Sequence, residues 1–154
     1  MRLLVAIDGT DASDGALDYA LDIATRLDAT LLLTYVVEPA VHVTDDEGAT
    51  EWTSDPAGTD REEADDRFVR EALEDSRATG DRLLHEASDR ANGVGVDVDT
   101  RVVTGDPTEA LLSLVSEAAA DGIVVGHRAP EHDVVDSVAR GLIDRSSVPV
   151  TVVT

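Results

Sequence analysis

RLLVAIDGTDASDGAL, residues 2–17, changes period halfway. Its first six residues, RLLVAI, form a short apolar run that closes on Asp8-Gly9, a strand followed by a turn. Beyond the turn, Ala16, Leu17, Ala20, Leu21, Ala24 and Leu27 recur at helical spacing on one face. A strand that runs through a tight turn into an amphipathic helix is the opening unit of an α/β fold.

The rest of the chain repeats the unit. Residues 30–37, TLLLTYVV, are a near-continuous apolar strand of the kind that a parallel sheet covers on both faces. Residues 38–61 break the pattern with Pro39, Gly48, Pro56, Gly58, several acids and the only tryptophan, Trp52; a loop of this length is usually functional or mobile. Trp52 reads first as a packing residue of that loop. A charged helix is predicted over 62–91, with Phe68, Ala72, Leu73, Leu83, Leu84 and Ala87 available for packing. Gly80 lowers its helical propensity by about 1 kcal/mol against alanine.

Residues 97–103, DVDTRVV, alternate, which predicts a strand with one exposed face. Asp106-Pro107-Thr108-Glu109 is a helix start: Asp106 caps, Pro107 suits the first helical position and Glu109 fits a capping box. Leu111, Leu112, Val115, Ala118 and Ala119 make that helix's apolar face. Residues 122–126, GIVVG, form a buried strand, and Val134, Val135, Val138, Ala139, Leu142 and Ile143 a helical stripe. The last strand is 148–153, where Pro149 argues for a strand start or an edge. Alternating strands and helices imply an α/β, doubly wound parallel sheet. Right-handed crossovers bring the loops after the first and fourth strands together at the carboxyl end, where such sheets bind ligands.

Composition bounds the function. The 154 residues suit a single domain, 1–154, and a chain of this size buries about 70% of its unfolded surface without staples. With no cysteine there are neither disulfides nor thiolate metal sites. No apolar run of about 20 residues appears, so no membrane span is expected. MRLLVAID is too short for a signal peptide, which makes a cytoplasmic location the expectation. Asp and Glu number 33 against 12 cations, all of them arginine, for a net charge of -21. A 42% apolar fraction with strong periodicity argues for a folded, acid-coated domain over disorder. We expect a halophilic source, since at about 1 M salt the Debye length falls to about 3 Å and self-repulsion is screened. Nucleic acid is not an expected partner, because phosphate contacts need a basic face.

VAIDGTDASDGAL (5–17), VVTGDPTEALL (102–112), IVVG (123–126) and SVARGLIDRSSVPVTVV (137–153) resemble the universal stress protein (UspA) family, over nearly the whole chain. The resemblance implies a Rossmann-like sheet of five parallel strands ordered 3-2-1-4-5 with helices on both faces. It implies a role in the stress response and a homodimer, often through the final strand, here Val148, Val150, Val152 and Val153. Some members bind ATP through a loop resembling G-x2-G-x9-G-[S/T]. Gly126 and Ser137 match its ends, with Val138 following, but Ala129 and Asp136 replace glycines and the interval is three residues short. Glycines let backbone amides approach phosphate. Pro130 removes a donor, while Glu131, Asp133 and Asp136 carry the wrong charge for a phosphate. His127, Arg128 and His132 supply cationic chemistry instead. Asp8 matches the family's acidic residue near adenosine, with Ile7, Val36 and Val125 as walls.

Other chemistry fits less well. A haloacid-dehalogenase nucleophile would stand two residues before Asp8, where the chain has Ala6. A receiver domain needs a lysine. Ser13 and Ser137 lie near helix starts, where serine is far more often a cap than a nucleophile. His127, His132 and Asp133 match no sharp metal spacing, and His42 and His85 stand alone. Asp8, Asp11 and Asp14 suit capping and dipole pairing, or else ribose or magnesium contact. The expectation is a regulatory or interaction module with a degenerate nucleotide loop, no enzyme, no resident metal and as yet unknown protein partners. The alternative is an ATP-binding switch that uses magnesium, hydrolyses slowly and holds phosphate with the Gly126–Ser137 loop.

Overall fold

The computed structural model describes residues 1–39, 58–127 and 137–154, with side chains in the second segment from residue 67. Five strands alternate with four helices: β1 (Arg2–Ala6), α1 (Asp11–Leu27), β2 (Thr30–Val37), α2 (Gly58–Gly93), β3 (Val98–Thr104), α3 (Pro107–Glu117), β4 (Gly122–Gly126), α4 (Ser137–Arg145) and β5 (Val150–Val153). The sheet is parallel throughout and ordered β3-β2-β1-β4-β5, as the resemblance implies.

The central strand β1 pairs Leu3 with Leu31 on one side and with Gly122 on the other. Because side chains alternate along a strand, each strand feeds two cores. Leu3 and Val5 of β1, with Leu31 and Leu33 of β2, face α1 and α2, where Leu17, Ala20, Leu84 and Ala87 are buried. Leu4 and Leu32 face α3 and α4, where Leu111, Leu114, Val115, Ala139 and Leu142 are buried. Helices therefore cover both faces.

The Asp106 side chain caps α3 by accepting from the Glu109 amide at 3.1 Å, with Pro107 in the first turn. β3 is an edge strand, which accounts for its exposed Asp99, Thr100 and Arg101. Several apolar residues read as packing positions lie outside the core. Leu27 ends α1 beside the left-handed cap Asp28 and is 56% exposed. Phe68 stands on a stretch of α2 whose neighbours are mostly exposed, and is itself 73% exposed. Ala72 and Ile143 are exposed too. In α3, Leu114 is buried, whereas Ala119 lies past the helix end with a positive φ of 51°. Gly80 is the opposite case: it is buried against the ring of Tyr35, and a Cβ there would lie 2.8 Å from Cγ and 2.9 Å from Cε1. A side chain at that point of the helix would require the Tyr35 ring to shift.

Candidate functional site

The crevice lies at the carboxyl ends of β1, β2 and β4, on the α3/α4 side. β1 ends at Ala6, and the Ile7 amide still donates to the Thr34 carbonyl at 2.8 Å, extending the pairing by one residue. The chain then turns through Asp8 and Gly9, where φ is +83° and glycine is needed. Thr10 is the N-cap of α1: its hydroxyl accepts from the Ser13 amide at 3.2 Å. Asp8 braces this cap, its Oδ1 accepting from the Thr10 amide at 2.9 Å and the Thr10 hydroxyl at 2.6 Å.

Ser13 is not the cap its position suggests. It is a buried residue of the first helical turn, and its hydroxyl accepts from the Asp8 amide at 3.0 Å. That bond closes the loop on itself, which gives Ser13 a structural role. Asp14 points elsewhere: with Asp18 it forms an ion pair with Arg90 near the end of α2, 3.8 Å from Asp14 Oδ1. Asp14 thus ties α1 to α2.

Gly126 ends β4 where α1 begins. A Cβ on it would collide with the backbone carbonyl of Ala12 and sit 2.8 Å from the Ser13 amide nitrogen. Glycine is required here by the close approach of two backbones, independently of any phosphate. The next residue, His127, extends the pairing with β5, its amide donating to the Val153 carbonyl at 2.8 Å.

These elements enclose a cavity of about 110 Å³. Six sequence-predicted residues line it: Ile7, Asp8, Val36, Val125, Gly126 and Val138. Structure adds Ala6, Thr34 and Glu38 from the sheet side, Pro107 and Leu111 from α3, and Ser13 from α1. The lining is mixed, apolar side chains beside the hydroxyl-bearing Ser13 and Thr34, with the carboxylates of Asp8 and Glu38 as the charged groups among the described lining residues. His127 and Ser137 are not in this lining; Ser137 is the exposed first residue of α4. Arg128, the loop through Asp136 with His132 and Asp133, His42, and Trp52 lie outside the described residues. His85 pairs with Asp89 at 3.6 Å on the exposed side of α2. Among the described residues no three His, Asp or Glu side chains gather as a metal site, and no helix is long and apolar enough to cross a membrane.

Thr34 was hidden inside the apolar string TLLLTYVV, where a threonine reads as one more β-branched strand residue. Only the order of strands shows that it faces the crevice. Leu111 was read as core, which it also is.

The family model described as the universal stress protein family matches residues 1–154. The universal stress protein YxiE of Bacillus subtilis is 28% identical over 155 residues, covering 99% of this chain and 97% of that protein. Among solved structures, the universal stress protein UspA from Lactobacillus plantarum superposes with a TM-score of 0.80 at 22% identity, covering 100% of this chain and 97% of that one. A universal stress protein crystallised in complex with cAMP has a TM-score of 0.70 at 27% identity, covering 100% and 97%. The chain belongs to the universal stress protein family.

Proposed function

We propose that this member of the universal stress protein family is a non-catalytic regulatory module of the stress response. In this reading its crevice takes an adenine nucleoside carrying one phosphate in preference to the triphosphate. The observation that carries it is the contrast within one site. The cavity beside Ile7, Asp8, Val36 and Val125 sets apolar side chains next to polar groups, the Asp8 and Glu38 carboxylates among them, which suits a base and a ribose. The segment that would hold further phosphates has lost two of three glycines, contains Pro130, and carries Glu131, Asp133 and Asp136. A related protein's complex with cAMP, a single-phosphate adenine nucleotide, supports the same preference. The rival reading is an ATP switch in which His127, Arg128 and Ser137 replace the glycine cradle.

The test is calorimetric titration of folded protein in molar KCl with AMP and, separately, with Mg-ATP. AMP binding at one site per chain, with no gain from the added phosphates, is expected. Tighter Mg-ATP binding that weakens on Ser137→Ala would transfer the conclusion to the ATP switch. No heat with either nucleotide would leave a module that acts through protein partners alone.

The reading includes a cytoplasmic homodimer joined through β5 in a salt-rich cell. β5 is an edge strand whose Val150, Val152 and Val153 are half-buried, and Val148 precedes it. An apolar strand edge left open invites a second copy. Sedimentation in molar KCl should give the dimer mass, and a monomer would remove the β5 interface. The charge of -21 supports the salt-rich setting; full stability in dilute buffer would count against it.

A further inference from the structure

Thr34 is the anomaly of the core. Its side chain is 0% exposed, and its Oγ1 is the one fully buried side-chain polar atom among the described residues that has no hydrogen-bond partner. Leaving a hydroxyl unpaired in an apolar interior is costly, so such groups are rare and cluster where function needs them. Thr34 also lines the crevice cavity. Its strand neighbours at one-residue spacing, Leu33 and Tyr35, pack toward α1 and α2, whereas Leu32 and Val36 pack toward α3 and α4. Alternation therefore turns the Thr34 side chain to the α3/α4 side, at the floor of the cavity. Of the other residues lining that cavity, Ala6, Val36, Leu111, Val125 and Val138 have no polar side-chain atom to offer, and the polar side chains of Asp8, Ser13 and Glu38 make no hydrogen bond to Thr34 Oγ1.

We infer that Thr34 is a specificity residue of this site: its hydroxyl hydrogen-bonds the polar edge of the heterocyclic base of a bound nucleotide. The partner must enter a pocket whose lining mixes apolar side chains with polar groups, so it has to be carried by a ligand with apolar faces and a polar rim. A planar nitrogen heterocycle meets that description. The threonine hydroxyl both donates and accepts, so it can pair with a ring nitrogen or with an exocyclic amine. The inference rests on the nucleotide reading above and adds to it a residue that neither the loop motif nor the sequence pattern singles out.

The experiment uses the full chain in molar KCl, with AMP as the probe, and compares wild type with Thr34→Val and Thr34→Ser. Valine keeps the shape and removes the hydroxyl. It should weaken AMP binding about tenfold, because the base edge is then buried without a partner. In the ligand-free protein, Thr34→Val should melt at the same temperature as wild type or higher, since it removes an unpaired buried group. Thr34→Ser should hold AMP affinity within about threefold, a loss confined to the missing methyl. Equal AMP affinity in wild type and Thr34→Val would overturn the role of Thr34 and leave the nucleotide reading standing. Absence of AMP binding by folded wild type would remove both. A lower melting temperature for ligand-free Thr34→Val would show that the hydroxyl serves the fold, and would also overturn the inference.

Discussion

The junction of β1, α1 and β4 and the outer layer made by α2 are held together in different ways. At the junction, backbone meets backbone: Gly126 lies against the Ala12 carbonyl, and the loop between is tied by Asp8, Thr10 and Ser13. Across the molecule, α2 meets the sheet through side chains, chiefly Tyr35 at Gly80, with Leu84 and Ala87 buried beyond. Much of α2 between residues 67 and 79 touches little. Backbone contacts cannot rotate away from an intruding atom, whereas a ring can shift. The first region should therefore be brittle and the second forgiving, and the first is the one that shapes the crevice.

Gly126→Ala tests the brittle side. The new methyl would meet a main-chain carbonyl, so we expect a loss of about 3 kcal/mol or more, at the upper end for overpacking, read by denaturant unfolding in high salt. A variant within about 0.5 kcal/mol of wild type would show that the junction can spread.

Gly80→Ala sets two effects in opposition. Alanine should gain about 1 kcal/mol of helix propensity, but its methyl would sit within 3 Å of two or more atoms of the Tyr35 ring. A net loss of about 1–2 kcal/mol is expected from the contact. In a Tyr35→Leu background the same change should turn neutral or stabilising, and a double-mutant cycle measures the coupling. If the two changes simply add, Tyr35 is not the reason for the glycine.

Phe68→Ser should have the smallest effect, within about 0.5 kcal/mol, because the ring is largely exposed. A large loss of stability in monomeric protein would mean that this part of α2 is packed.

The alternation of strand and helix, and with it the order of layers, was legible because apolar period changes cleanly at Asp8-Gly9 and again at Asp106-Pro107. The strand order 3-2-1-4-5 came from the family resemblance and agrees with the pairing. Phe68 and Ile143 were misjudged because hydrophobicity marks a capacity for burial, while burial needs a neighbour, and tertiary geometry supplies that. The walls of the crevice were foreseen at Ile7, Val36 and Val125, residues next to strand ends. Its floor and α3 side were not, since Thr34 reads as one more β-branched strand residue, Pro107 as a helix start and Leu111 as core. Gly126 was assigned to phosphate chemistry by motif, while its contact with Ala12 gives it a packing reason that a motif cannot reveal.

Arg2 shows what it means for the first strand to be the middle one. Its amide donates to Asp121 at 2.8 Å, and its guanidinium reaches Asp99 at 2.9 Å and the Ala118 carbonyl at 3.3 Å. Arg2 is thus held by residues 97 to 119 positions further on. At about 5–20 residues per second, synthesis takes on the order of ten seconds to supply those partners. β1 can pair with β2 early, but its other side stays open until β4 emerges. Until then LLVA is paired on one side only. Pairing over so long a sequence separation is slow, so the centre of the sheet is complete only once β1 has found a strand as distant as the one that starts at Gly122.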